Sequence, residues 1–122
     1  MYRYLIFVLL SFGVNSHEFT PTYPLLEPSH IRGILKVNML LVNKREDVSY
    51  YELEVLDKNS EPVAFAAQQK IVEVSFRERK SLEIYIRERD KGTAFYVCSR
   101  SKLLSGKKQA SSVSSKICSK IR

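Results

Sequence analysis

The 122-residue chain has no tryptophan, two histidines, two cysteines and four glycines. Each shortage excludes some chemistry. Nucleophilic or acid–base catalysis needs a positioned histidine, or an equivalent base, held beside a nucleophile. His17 stands near the start and His30 lies in a Pro/Ser turn, so no catalytic residue is expected. The glycines are scattered, which excludes a phosphate-cradling loop. Two cysteines without companions at ligand spacing do not make a zinc site, so neither a metal nor a cofactor is expected. No N-x-S/T acceptor occurs, because Asn59-Ser60 is followed by Glu61. That favours a bacterial envelope protein over a glycosylated eukaryotic one.

The first sixteen residues, MYRYLIFVLLSFGVNS, are built differently from the rest. One cation, Arg3, precedes an apolar run from Tyr4 to Val14, and Val14 and Ser16 follow the small-residue cleavage spacing. This is the pattern of a secretory signal peptide over 1–16. The run is shorter than the roughly 20 apolar residues of a spanning helix, so no membrane span is expected after its removal. Residues 17–122 then form one small domain. Export implies an oxidising compartment, and with only two cysteines the expected disulfide is Cys98–Cys118. Closing that loop should stabilise the fold by roughly 3 kcal/mol on the chain-entropy model.

Charge divides the chain. From His17 to Ser99 there are 12 Lys+Arg and 13 Asp+Glu; from Arg100 to Arg122 there are 7 Lys+Arg and no acid. The basic tail can serve an acidic partner or merely be solvated. It contains no Phe, Tyr or Trp, and a single-strand binder needs such rings for stacking. No nucleic-acid partner is expected.

The body reads as strands. In RGILKVNMLLVN (32–43), Leu35, Val37, Met39 and Leu41 share one face. In SYYELEVLDKNSEPV (49–63), Tyr51, Leu53 and Val55 oppose Tyr50, Glu52 and Glu54 before the turn cluster DKNSEP. KIVEVSF (70–76), SLEIYIRE (81–88) and TAFYVCS (93–99) follow, with Leu82, Ile84 and Ile86 on one side of the second. Period-two alternation between turn clusters predicts half-buried antiparallel strands. The proline-broken EFTPTYPLLEP predicts an irregular edge strand that wraps the sandwich, and SGKKQASSVSS (105–115) predicts a loop.

DKGTAFYVCS (90–99) resembles the immunoglobulin strand that carries a Y-x-C, although Cys118 comes after Cys98 and not before it. More broadly, LLVNKREDVSYYELEVLDKNSEPVAF and KIVEVSFRERKSLEIYIRERDKGTAFYVCS are similar to the N-terminal domain of the PapD-like periplasmic pilus-assembly chaperones. The resemblance covers roughly residues 19–99 and rests on strand order and turn placement. It implies an all-β, Ig-like antiparallel sandwich of about seven strands with Greek-key wiring. It also implies a secreted or periplasmic, non-enzymatic protein-binding role, chaperone-like or accessory to a pilus or secretion assembly, with a protein partner in the cell envelope. The alternatives are a structural subunit assembled by strand addition and a secreted effector-like binder. Three features depart from the family. There is no room for a second domain, FTPTYPLLEP lacks the basic first-strand residue that anchors a pilin carboxylate, and RER (77–79) replaces a Pro-Gly turn.

Residues 113–121 predict a last strand, following a basic, Ser-rich loop over 100–115. Val113, Ser115, Ile117, Ser119 and Ile121 lie on one face; Ser114, Lys116, Cys118, Lys120 and Arg122 lie on the other. Pairing it beside 93–99 brings the cysteines together. Two placements of 93–99 compete. A tyrosine corner turns Tyr96 inward, whereas burying Phe95 and Val97 with Ile117 and Ile121 removes more apolar surface. The second is preferred, and a bulge near Cys98 would reverse it. As an edge without proline, this last strand is the candidate partner-binding element. Its candidate residues are Val113, Lys116, Ile117, Lys120, Ile121 and Arg122.

Overall fold

The computed structural model describes residues 17–102 and 114–122. The signal segment 1–16 and residues 103–113, which hold most of the expected loop and Val113, lie outside the described residues. The strands are β1 (Glu18–Thr20), β2 (Glu27–Pro28), β3 (Ile34–Val42), β4 (Tyr50–Leu56), β5 (Ala66–Ala67), β6 (Ile71–Glu73), β7 (Arg79–Arg87), β8 (Tyr96–Lys102) and β9 (Lys116–Lys120). They form two antiparallel sheets. One runs β1-β3-β7-β5, with β2 also on β3, and the other runs β6-β4-β8-β9. The architecture is the Ig-like sandwich expected, with nine strands where about seven were read. The additional ones come from an N-terminal segment that pairs in two pieces and from β5. AFAAQQ shows no alternation, and it pairs for two residues against Tyr85 and Ile84.

Alternation fixes the inward faces. Val37, Met39 and Leu41 of β3, Tyr51, Leu53 and Val55 of β4, and Ile84 and Ile86 of β7 are all buried, while Leu35 and Leu82 are half-buried. At about 1.5–3 kcal/mol for each large apolar side chain buried, these rows drive the two sheets together. The strand read over 70–76 is trimmed to β6, because the chain turns at Ser75–Glu78 to cross between the sheets. Arg77 takes φ 68° there, a left-handed conformation that disfavours a side chain, and its N–H bonds Asn43 O at 2.7 Å.

The N-terminal segment wraps as expected and reaches both sheets. β1 pairs with Leu40–Val42 and β2 with Leu35–Lys36. Between them the chain passes β9, where Lys120 N–H bonds Thr22 O at 3.0 Å and Arg122 N–H bonds Pro24 O at 2.9 Å.

Candidate functional site

β9 pairs with β8 in the register Cys98↔Cys118, and the two cysteines form a disulfide. Ser101 N–H bonds Ser115 O and Ile121 N–H bonds Phe95 O. Odd-numbered residues of β9 therefore direct their backbone groups to β8, and even-numbered ones direct theirs to the open edge. Lys120 and Arg122 donate there to Thr22 and Pro24, while the outward groups of Lys116 and Cys118 have no backbone partner among the described residues.

The side chains of the candidate edge divide in two. Ile121 is buried and Ile117 packs against the core, as the preferred placement required. Their apolar row therefore faces inward and offers a partner nothing. Val97 is fully buried, and Cys98 is covered on the outer side by its disulfide partner Cys118, but Phe95, expected inward with Val97, is only half-buried and stands outside the core with Lys120 over its ring. The cations stay outside, each with a partner of its own chain. Lys116 pairs with Glu54 at 3.3 Å, and Lys120 Nζ lies 5.0 Å from the centroid of the Phe95 ring. Arg122 Nε donates to Tyr23 O at 3.1 Å. Two further tail cations meet the acidic face of β4: Arg100 pairs with Glu54 at 3.6 Å, and Lys102 pairs with Glu52. The sequence showed a basic tail and a neutral body; the sheet lays one against the other.

One end of the sandwich holds a buried polar cluster that sequence reasoning missed. His17 Nε2 lies 2.7 Å from Ser99 Oγ, and Nδ1 lies 3.3 Å from Ser115 Oγ. Asn43 Nδ2 donates to Val48 O and Val74 O at 2.6 and 2.8 Å. Its Oδ1 accepts from Arg45 N–H at 2.9 Å and from Tyr51 O–H at 2.5 Å. Arg45 pairs with Asp47 at 2.5 Å, which holds the Asp47 carboxyl below its ordinary pKa. Burial lowers the His17 pKa to about 4, against the hydrogen bond with Ser99 and with help from the Arg45 charge; burial likewise raises Tyr51 to about 12. This cluster ties β1, the β3–β4 loop, β8 and the start of β9 into one unit. Inward serines at alternate positions 99 and 101 were the only sequence trace of it. His30 is exposed, edge-on to Tyr85 at 6.3 Å.

Several solved structures superpose on this arrangement. The E. coli chaperone DraB matches with TM-score 0.62 and 15% identity, covering 87% of this chain and 53% of that one. The Salmonella enterica SafA pilin–SafB chaperone complex matches with TM-score 0.64 and 13% identity, covering 87% and 52%. The periplasmic chaperone SfaE matches with TM-score 0.55 and 13% identity, covering 88% and 56%. The fold is that of the pilus chaperones. The chain spans about half the length of the chaperone structures it matches. No family model matches the sequence, and no curated protein matches it significantly. Against this chaperone fold, the first-strand segment Phe19–Pro28 carries no Lys or Arg. Just past β9, Arg122 Nε donates to Tyr23 O of this segment.

Proposed function

We propose that this is an exported, non-enzymatic protein-binding domain of the bacterial envelope, chaperone-like, which receives a strand of a pilus- or secretion-type subunit on the β9 edge. Removal of residues 1–16 and a periplasmic or secreted location belong to the same reading. The observation that carries it is the pair of outward backbone positions, Lys116 and Cys118, on an edge strand stapled to its neighbour. An edge of this kind recruits strands unless it is guarded. The likeness to DraB and SafB supports the class of partner. The rival, a subunit that donates its own N-terminal strand, finds less support. That segment is already paired to β3 and β9.

A photo-crosslinking residue placed at Lys116 should trap an envelope protein in the native cell, while one at Glu88, just past the far end of β7, should not. Lys116→Pro removes an outward N–H and leaves the β8–β9 ladder intact; it should abolish capture with little change in thermal stability. Charge reversal at Lys116 and Lys120 together should do the same if the cations hold an acidic segment. Undiminished capture by Lys116→Pro would overturn the edge reading. An intact mass that includes Met1–Ser16 would overturn the exported one.

A further inference from the structure

The N-terminal segment between β1 and β2 lies along the outer half of the β9 edge, and it makes an incomplete ladder. Lys120 N–H to Thr22 O and Arg122 N–H to Pro24 O define a parallel pairing that sets Tyr23 beside Lys120 and Leu25 beside Arg122. In a complete parallel ladder the amide of residue 24 would return a hydrogen bond to the Lys120 carbonyl. Residue 24 is proline and has no N–H. The segment thus satisfies two donors of β9 and leaves the Lys120 acceptor without its ladder partner. Its packing is uneven: Tyr23 is 55% and Leu25 54% exposed, while Leu26, at the far end, packs against the core. Pro24 is buried, and the Arg122 guanidinium adds one tie to Tyr23 O.

We infer that Pro21–Leu25 is a replaceable strap, a cover that a full strand on β9 displaces because that strand supplies both donors and acceptors. The inference rests on the reading of β9 as the receiving edge. With the strap in place, the outward backbone groups of Lys116 and Cys118 are those of β9 without a backbone partner among the described residues. With it displaced, the edge runs on through Lys120 and Arg122, and the partner's pairing lengthens toward the C-terminal end. The strap remains attached through β1 and β2, so it can return when the partner leaves. In this design the proline is what keeps the cover weak.

Pro24→Ala supplies the missing donor and tests this directly. Hydrogen exchange at the Lys120 and Arg122 amides, referenced to Ser119 within the β8–β9 ladder, should slow by roughly tenfold, the worth of one hydrogen bond. Arg122→Ala should speed exchange at Lys120. A short fluorescent peptide alternating valine and glutamate should bind Pro24→Ala several-fold more weakly than the unmodified protein. An unchanged or faster exchange ratio in Pro24→Ala, or equally tight peptide binding, would overturn the strap. Lys116→Pro separates the two ideas. If it leaves peptide binding intact, the receiving-edge reading falls, and the exchange ratio still decides whether the strap is weakly held.

Discussion

The β3–β7 pair and the β8–β9 hairpin solve the same problem by different means. β3 and β7 turn Val37, Met39, Leu41, Ile84 and Ile86 to the core, and their cohesion is apolar area. The hairpin turns Ser99, Ser101 and Ser119 inward beside Val97 and Ile121. Serine buries little apolar surface and needs hydrogen-bond partners. The hairpin therefore depends on a disulfide, on the His17 cluster and on ion pairs to β4. The strands at this edge hold together through specific bonds; the strands inside hold through burial.

The largest break in this comparison should come from the apolar side. Ile84→Ala leaves a cavity between the sheets and should cost about 2–5 kcal/mol in urea unfolding. Cys118→Ser, on the other side, should cost about 2–4 kcal/mol by the same measurement. It should also speed hydrogen exchange in β9 more than in β3. A smaller cost for Ile84→Ala than for Cys118→Ser would reverse the ranking of the two regions.

Acid should act on the hairpin first. The His17 pKa is lowered to about 4 from 6.5, so the native state favours the neutral ring. Its contribution is fully present above pH 6.5, falls as pH drops toward 4, and is constant below. The loss should approach about 3 kcal/mol at most. An NMR titration should find the lowered pKa, and His17→Asn should flatten this part of the stability–pH curve.

Two finer probes sharpen the contrast. The Ser119 hydroxyl is buried without a hydrogen-bond partner among the described residues, so Ser119→Ala should leave stability unchanged or raise it by about 1 kcal/mol. Lys102→Gln breaks a partly exposed pair with Glu52 and should cost less than about 1 kcal/mol, shrinking with added salt.

These regions also differ in how well they could be read. β3, β4 and β7 were legible residue by residue, because an alternating row has one favourable orientation and a one-residue slip would expose it. The β8–β9 pairing and the disulfide were legible from two cysteines and a period-two tail. The His17 cluster was not. Hydrogen bonds such as His17–Ser99 join residues 82 apart, and nothing local in either segment marks the other. The partner-binding candidates were legible as a strand, but not in what each side chain would do. Ile117 and Ile121 were already committed to the core, and Lys116 to Glu54.

Local periodicity by itself determined which rows face inward and where the long strands run, because side-chain alternation is set by backbone geometry, and the count of two cysteines determined which of them meet. The tertiary structure alone decided three things. It brought the acidic face of β4 beneath the basic tail, gathered polar groups from distant segments into one buried unit, and laid a proline-bearing segment along the β9 edge. Each depends on which strand lies next to which, and adjacency across a sandwich is decided by the packing of whole sheets, for which no single segment carries a signal.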